Sequence, residues 1–435
     1  MSASSATAPS GGRHFWQSFY NGLQKMGRSL QVPIAVLPAA GILNRLGQPD
    51  IFGTDGLGWD NVAKVLAGAG SALLDSSLGL PLLFCVGVAI GMAKKSDGST
   101  GLAAVAAFLV YYTVLHQFPQ DCPAGQTFAS AGLGGVCVDP HGTAAPATYQ
   151  NPSVFGGIIL GLLTSWFWVR YHRTKLVDWL GFFNGRRLVP IIMSAVAICF
   201  AVLCLLIWGP IGDGLQSFAQ WMSDRGSIGS GIYGVANRAL LTIGMHQFLN
   251  TFLWFQFGSF TKGGVTYNGD ITRFLHGDPT AGQFQSGFFP IMMFALPAAA
   301  MAIARCAKPH RRKEVTGMMI SMALTSLVTG VTEPIEYSFL YVAPALYGIH
   351  ALLTGVSMGV TWALGVHAGF SFSAGLIDYV INWSLATKPW LILPIGACFA
   401  AVYYFLFLFV IKRFDLKTPG REDEDESREA SITKD

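Results

Sequence analysis

Ten apolar segments follow one another along this chain of 435 residues, and short polar connectors separate them. At about 20 residues per crossing, the chain has room for roughly ten membrane spans and their loops. The segments are residues 30–46, 61–93, 101–116, 153–169, 188–209, 228–258, 286–306, 315–331, 337–376 and 391–411. Glycine, proline and polar residues interrupt 228–285 and 331–376. We therefore predict an all-α polytopic membrane protein of about ten transmembrane helices, with re-entrant or broken hairpins at these interruptions.

Charged residues amount to 12% of the chain. This is half of the roughly 25% that is usual in soluble globular proteins. The composition excludes an ordinary soluble enzyme, and it excludes a disordered or nucleic-acid-binding protein because both need many more charges. The basic residues concentrate in short connectors, which are expected to face the cytoplasm beside anionic lipid. We predict a multi-pass protein of the cytoplasmic membrane with both termini in the cytoplasm.

Four segments are expected to lie at or beyond the membrane surface. Residues 1–12 are small and polar, and they predict a disordered tail. Residues 13–29 and 175–187 combine apolar side chains at helical spacing with basic ones, which is typical of interfacial amphipathic helices. Residues 413–435 change abruptly in composition and predict an acidic cytoplasmic tail.

The polar loop 117–152 contains no Lys or Arg and is expected to face outside. An oxidising compartment would permit a disulfide between Cys122 and Cys137, and the sequence leaves this open. No CxxC, HExxH or P-loop pattern occurs, so we expect neither a metal nor a nucleotide cofactor.

The segment ANRALLTIGMHQFLN places polar side chains inside an apolar region. Arg238 and His246 are eight residues apart. On a helix this is about 12 Å of rise and 80° of rotation, so both can face one cavity. Arg238 offers a rigid fork of donors, and His246 can donate, accept or carry a proton. Gln247 and Asn250 are further candidates. Alternatively, Arg238 reaches an interface and His246 bonds a neighbouring helix.

The segment GVTEPIE predicts a break in a helix. Pro334 disfavours the α conformation for Glu333 and suits the first position of a new helix. Broken helices that carry a carboxylate are typical of transporter sites near the membrane midplane. Glu333 is therefore a candidate to bind a hydroxyl group or to act as a base, with Glu336 behind it. The alternative is a structural break with Glu333 in a salt bridge.

Two further segments carry polar candidates. GVHAGFSFSAGLID contains His367 and Asp378 among small residues that suit close helix packing. A structural and a functional role are equally compatible with it. NGDITRFLHGDPTAGQFQS contains Asp270 and predicts a gating or docking loop.

These segments occur in an order that resembles one known family. KMGRSLQVPIAVLPAAGILNRLGQPD, GRRLVPI, NRALLTIGMHQFLN, GDPTAGQFQSGFFPIMMF, GVTEPIEYSFLY, HALLTG, GVHAGFSFSAGLIDY and LKTPGRED resemble the membrane component, enzyme IIC, of the bacterial phosphotransferase system. The resemblance is to its glucose/N-acetylglucosamine family, and it runs from about residue 20 to 423. HAGFSFSAGLIDY and HQFLNTFLWFQ look most like the N-acetylglucosamine branch.

The resemblance implies a homodimer with a dimerisation half, residues 13–172, and a sugar-binding half, residues 188–412, joined by an interfacial linker, 173–187. It implies transport of N-acetylglucosamine coupled to phosphorylation of its 6-hydroxyl by a phosphocysteine of IIB. By the family's motifs, Glu333 and His246 are expected as catalytic groups that contact the sugar, with Arg238 beside them as a further sugar contact, and Asp378 matches an acidic position of the family. Asn250 is a further candidate for contact with the sugar. The candidates for supporting these groups or for gating are Gln247, Glu336, Arg186, Asp270 and His367.

Arg186 stands where many relatives have lysine in a GKR motif. The cysteine of a IIB domain, in a CxTRLR context, does not occur in the sequence, so a separate IIB protein is the expected partner. Three alternatives stay open. They are a glucose- or maltose-type sugar, a transporter that releases unmodified sugar, and a sensor that binds without transport.

Overall fold

The computed structural model of the protein describes residues 25–26, 29–30, 33, 36–75, 77–118, 127–131, 134–138, 144–146, 151–243, 246–262 and 265–421. Its helices are α1 (Leu37–Leu46), α2 (Asp60–Leu74), α3 (Gly79–Met92), α4 (Gly98–Leu115), α5 (Val154–Tyr171), α6 (Leu188–Asp224), α7 (Gly226–Leu241), α8 (His246–Phe255), α9 (Asp270–Leu275), α10 (Gln283–Ser286), α11 (Leu296–Cys306), α12 (Arg312–Thr329), α13 (Glu333–Leu340), α14 (Pro344–Ala363), α15 (Leu376–Ile381) and α16 (Ile392–Arg413). The predicted tail 1–12, residues 13–24 of the predicted first amphipathic helix, Cys122, the Cys137 side chain and the acidic residues 422–435 lie outside this description.

Within the described residues, five helical stretches are long and apolar enough to cross a membrane. They are Gly98–Leu115, Val154–Tyr171, Gly185–Asp224, Gln283–Cys306 and Pro389–Arg413. A sixth is counted if α2 and α3 form one broken span. The helical character of the chain and the presence of several candidate spans agree with the sequence analysis. The count of about ten crossings stays a prediction.

The chain divides into two compact units. Unit 1 comprises Met1–Leu37, Ala72–Leu215 and Ile243–Phe248, and it contains α3, α4, α5 and most of α6. Small residues bring α3 and α5 together. A Cβ on Gly157 would lie 2.3 Å from the carbonyl oxygen of Pro81, and one on Gly161 would lie 2.5 Å from that of Cys85. Such contacts between small residues are how helices associate closely in lipid.

Unit 2 comprises Pro38–Ser71, Gln216–Thr242 and Leu249–Asp435. One core of this unit joins α11, α12 and α16, where Ile303 and Met319 pack in one cluster with Phe407. A second contact joins α7 to α14, where the Ser230 hydroxyl donates to the carbonyl oxygen of Met358 at 3.3 Å. A π-helical turn, Pro290–Ala295, leads into α11. The unit thereby holds α7, α11, α13, α14 and α16 in register for the site described below.

In the part of the chain that the structure describes, two small antiparallel sheets depart from the all-α prediction. Strands β1 (Thr127–Ala131), β2 (Gly134–Val138) and β3 (Ala144–Pro146) form one sheet, and β4 (Ser259–Lys262) pairs with β5 (Val265–Asn268). All lie in polar connections between helices. Hairpin pairing there satisfies backbone groups that no helix satisfies.

The linker 173–187 also differs in detail from the expected helix. It forms two 3-10 turns, Asp178–Phe183 and Gly185–Arg187. Gly185, at φ +64°, adopts a conformation that interrupts a continuous helix. Trp179 is 82% exposed, so the segment presents an apolar surface as an interfacial element does. The predicted division into halves at this linker stays a prediction.

Candidate functional site

The predicted helix break at Glu333 is present in unit 2. Helix α12 ends at Thr329, and Gly330 follows in the left-handed conformation at φ +73°. Helix α13 then begins at Glu333 with Pro334 in its first turn, and it is only eight residues long. Glycine after a helix end and proline at a helix start are the residues that these positions favour. The break therefore has a local cause in the sequence.

A second loop, residues 364–375 between α14 and α15, lies against this break. The Ser373 hydroxyl donates to the carbonyl oxygen of Gly330 at 2.9 Å. A Cβ on Gly375 would lie only 2.5 Å from the backbone nitrogen of Gly330. The two backbones therefore touch directly, and only glycine permits this approach.

Asp378 shapes this second loop. It lies in the first turn of α15 and is buried. Its carboxylate accepts the backbone N–H of Ser371 at 2.6 Å and that of Ser373 at 3.4 Å, and the Asn382 amide donates to it at 3.2 Å. These contacts give Asp378 a structural role, while its predicted contact with a sugar stays a prediction.

Asp270 and Gln285 lie in the polar segment 268–286 and connect it to the loop 364–375. The buried carboxylate of Asp270 accepts the backbone N–H of Gly282 at 2.9 Å and the Gln285 amide at 2.8 Å. The carbonyl oxygen of the Gln285 side chain in turn accepts the N–H of Phe370 at 2.9 Å. His367 lies 2.8 Å from the Gln283 amide, measured from its Nε2 atom. Two segments that the sequence analysis treated separately are thus bonded to each other.

A buried ion pair lies one helical turn beyond Glu333. Glu336 is 0% exposed and Arg238, on α7, is 2% exposed. The Nη1 atom of Arg238 donates to Oε1 of Glu336 at 2.5 Å. Nε2 of His350, on α14, lies 3.0 Å from the same oxygen. Glu333 itself is only partly buried. The break therefore carries one glutamate that is partly buried and one that is enclosed by protein.

Three residues of this network were missed by the sequence analysis. The Tyr347 hydroxyl donates to the carbonyl oxygen of Arg238 at 2.7 Å. The Tyr403 hydroxyl, on α16, lies 2.9 Å from Nδ1 of His350. His350 begins the HALLTG motif, which was a signal for it. Tyr347 and Tyr403 stand among apolar residues and carry no such signal.

The remaining candidates are distributed over α8 and the linker. Asn250 is buried and accepts hydrogen bonds from the Tyr233 hydroxyl at 2.8 Å and from the Asn237 amide. His246 is buried at the first position of α8, and Gln247 follows it. These two residues belong to unit 1, because the division of the chain falls inside this helix.

Arg186 also belongs to unit 1. It pairs with Asp97 at 2.5 Å, and its side chain is 67% exposed. Its predicted role in gating stays a prediction. Among the described residues, no group of three or more His, Cys, Asp or Glu could hold a metal ion.

Charged residues buried within apolar helices, beside a broken helix, are typical of a membrane transporter. The family model described as "Phosphotransferase system, EIIC" matches residues 27–355. The chain belongs to this family of multi-pass membrane proteins, which take part in sugar phosphotransfer as its transport component.

Three known proteins are similar to this chain over most of its length. It is 62% identical over 408 residues to the "PTS system N-acetylglucosamine-specific EIIC component" of Streptomyces coelicolor, and 94% of each chain is covered. It is 45% identical to the "PTS system N-acetylglucosamine-specific EIICB component" of Bacillus subtilis, covering 93% of this chain and 79% of that relative. The crystal structure of the transporter ChbC, the IIC component of a diacetylchitobiose-specific system, matches with a TM-score of 0.54 and 14% identity over 91% of this chain and 93% of that one. The last comparison concerns the fold alone.

Proposed function

We propose that the chain carries N-acetylglucosamine across the membrane and presents its 6-hydroxyl to a phosphorylated IIB protein. The 62% identity to a N-acetylglucosamine-specific EIIC component over nearly the whole length of both chains supports this substrate. The Bacillus relative, an EIICB component of the same named specificity, supports a IIB domain as the phosphoryl donor. The Streptomyces relative is named an EIIC component alone, and this supports a separate IIB protein as the partner of this chain.

The observation that carries the proposal is the contrast between the two carboxylates of α13. Glu336 is completely buried, and its partners are Arg238 and His350. Glu333 is the first residue of the helix, is only partly buried and interacts electrostatically with Arg238. A carboxylate in such surroundings accepts a hydrogen bond from a sugar hydroxyl readily, because little water competes for it.

The chemistry follows from this placement. The sugar 6-hydroxyl oxygen attacks the phosphorus of the IIB phosphocysteine, so the new P–O bond forms as the P–S bond breaks. The hydroxyl proton passes to Glu333, and the cysteine leaves as a thiolate on IIB. Such transfers depend on in-line positioning and charge neutralisation, with a general base as a further contribution. Arg238 supplies a positive charge near Glu333.

The roles of the other candidates are part of the proposal. His246, Arg238, Asn250 and Asp378 are proposed as sugar contacts, and His246 also as an alternative base. In the structure, Arg238, Asn250 and Asp378 form hydrogen bonds with protein groups, namely Glu336, Tyr233 and Ser371 in that order. For these three we propose that their bonds to protein groups also hold the site in place.

We also propose a homodimer in a lipid bilayer, with both termini in the cytoplasm. The basic connectors support this orientation. Helix α6 supports an apolar environment, because Leu206, Ile198 and Val202 are exposed on the protein surface. Lipid or a second copy of the chain would cover such side chains.

The test uses proteoliposomes that contain the purified chain, with labelled N-acetylglucosamine outside and phosphorylated IIB inside. We expect labelled sugar 6-phosphate to accumulate inside, and none to form with unphosphorylated IIB. Accumulation of unmodified sugar would instead identify a transporter without phosphorylation. Binding of the sugar without any uptake would identify a sensor.

A further inference from the structure

Arg45 is a buried cation at the end of the apolar helix α1. Its side chain is 0% exposed, and it lies in the last turn of the helix. The two terminal nitrogens, Nη1 and Nη2, donate to the two carboxylate oxygens of Asp50, each at 2.6 Å. A buried charge is costly unless it is paired and hydrogen-bonded, so Asp50 is a reason why Arg45 can be enclosed at this place.

The same guanidinium joins α1 to the end of α15. Its Nε atom donates to the carbonyl oxygen of Ile381, the last residue of α15, at 3.0 Å, across a sequence separation of 336 residues. Nη2 also donates to the Ser384 hydroxyl at 3.1 Å, and this hydroxyl donates to Asp50 at 2.8 Å. Because a guanidinium is a rigid planar fork, one side chain fixes both elements at once. We call Arg45, Asp50 and Ser384 the α1–α15 clamp.

Helix α1 also touches the loop 364–375 directly. A Cβ on Gly41 would lie 2.9 Å from the carbonyl oxygen of Ser371. Gly41 precedes Arg45 by four residues, so the two lie on neighbouring positions of one helix face. Helix α2 holds α1 in turn, since a Cβ on Gly70 would lie 2.3 Å from the backbone nitrogen of Asn44. The clamp is therefore attached to a closely packed helix.

Helix α15 connects the clamp to the break before α13. It has six residues and is roughly 9 Å long. Its last residue accepts the bond from Arg45, and Asp378 in its first turn accepts the backbone N–H groups of Ser371 and Ser373. The Ser373 hydroxyl donates to the carbonyl oxygen of Gly330. An unbroken series of bonds and one short helix thus leads from Arg45 to the break.

From this geometry we infer that Arg45 is a positioning residue for the phosphotransfer reaction. It fixes the end of α15 and thereby the loop 364–375, which lies against the break at Gly330. The inference rests on the proposed function, because α13 begins at Glu333 directly after this break. Without the guanidinium, α15 loses its attachment to α1, the loop shifts at Gly330, and the start of α13 is displaced. Arg45 acts through α15 and not by contact with the sugar.

The first measurement follows the loop itself, by hydrogen–deuterium exchange of the full chain in detergent without sugar or IIB. In Arg45→Met, all four bonds of the guanidinium are lost while an unbranched side chain remains. We expect the backbone amides of the segment 371–375 to exchange at least about tenfold faster than in the unmodified chain, because local opening becomes easier.

The second measurement is phosphotransfer in proteoliposomes with N-acetylglucosamine and phosphorylated IIB. We expect kcat of Arg45→Met to fall about 100-fold, as a misplaced reacting group causes. Affinity for the sugar, measured without IIB, should stay within about threefold, because the loss concerns the reacting state. Arg45→Lys keeps a charge beside Asp50 but lacks the planar fork, so kcat should fall about tenfold in a folded protein.

Arg225→Met is the matched control. Arg225 is exposed in unit 2, and its guanidinium lies over the Trp221 ring at 4.5 Å from the centroid. Its loss should leave both kcat and the exchange of the segment 371–375 unchanged. Should Arg45→Met fail to fold, Arg45→Lys carries both measurements, because its buried charge stays paired.

Three outcomes would overturn the inference in the variant that folds. They are a kcat equal to that of the unmodified chain, a parallel loss of kcat and sugar affinity, and an unchanged exchange rate of the segment 371–375. Failure of the unmodified chain to form sugar 6-phosphate would contradict the proposed function instead. The exchange measurement needs neither sugar nor IIB, so the two failures are distinguishable.

Discussion

Glu333 and Glu336 stand one turn apart on the same short helix, yet only Glu336 is completely enclosed by protein. Arg238 and His350 both bond the enclosed carboxylate, while the partly exposed one opens the helix at the break. The surroundings of these two chemically identical side chains thus give them different roles. The enclosed one holds helices α7, α13 and α14 together, and we propose that the partly exposed one bonds the sugar hydroxyl.

The first prediction concerns the proton acceptor. Glu333→Gln is expected to lower the rate of sugar phosphorylation by about 100-fold to 10,000-fold, the usual contribution of a general base. The amide keeps the shape of the side chain, so membrane insertion and thermal stability should be unchanged. The measurement is single-turnover transfer of labelled phosphate from IIB to the sugar. Retained turnover would remove Glu333 from the catalytic role.

The matched control for this prediction is Glu314→Gln. Glu314 lies in the first turn of α12, its side chain is 75% exposed, and it forms a loose pair with Arg311 at 3.9 Å. Exposed pairs of this kind contribute little, so the control should transfer phosphate at the normal rate.

The second prediction concerns the buried ion pair. Glu336→Leu leaves Arg238 charged, buried and without its carboxylate partner. Breaking a buried pair in this way typically costs about 3–5 kcal/mol of stability, so a lower unfolding temperature in detergent is expected. Glu314→Gln is again the comparison, and surface changes of this sort stay within about 0.5 kcal/mol. Equal unfolding temperatures for the two variants would contradict the buried pair.

The third prediction concerns the contact between the two loops beside Glu333. Gly375→Ala would place a Cβ 2.5 Å from the backbone nitrogen of Gly330, which no side-chain movement relieves. We expect the loops to separate and phosphotransfer to fall at least about tenfold, because small displacements of a reacting group are costly. Binding of IIB should be unaffected.

Gly317→Ala provides the matched change for this comparison. Gly317 lies inside α12, and a Cβ there would meet no atom within 4 Å. Alanine in an open helical position stabilises by about 0.4–1 kcal/mol. An active Gly375→Ala variant that unfolds at the same temperature as Gly317→Ala would show that the loops are not in contact.

The fourth prediction concerns the sugar. Uptake of labelled N-acetylglucosamine should be inhibited by unlabelled N-acetylglucosamine at far lower concentration than by glucose. The reason is that a site which bonds an acetamido group loses those bonds with glucose and keeps unpaired polar groups. Dose–response curves for both competitors in the proteoliposome assay give the comparison. Stronger inhibition by glucose would identify a glucose-type component.

Local sequence patterns were sufficient for the helix break and for the apolar helices. Pro334 and Gly330 determine where α12 ends and α13 begins, because each residue restricts its own backbone. The candidate list of the sequence analysis also contained Arg238 and Glu336, which the structure brings together. The linker 173–187 and the two small sheets differ from the prediction, since short polar connections can satisfy their backbone in several ways.

The sequence by itself thus determined that this is a membrane protein with scarce charges, with a broken helix at Glu333 and with family motifs in a defined order. The tertiary structure alone decided which of the charged groups are enclosed and what encloses them. Arg238, Glu336, His350 and Tyr403 come from four helices spread over more than 160 residues of chain. Their contact follows from helix packing, which local propensity and periodicity do not encode, and for that reason the bonds of His350 to Glu336 and Tyr403 became visible only in the folded protein.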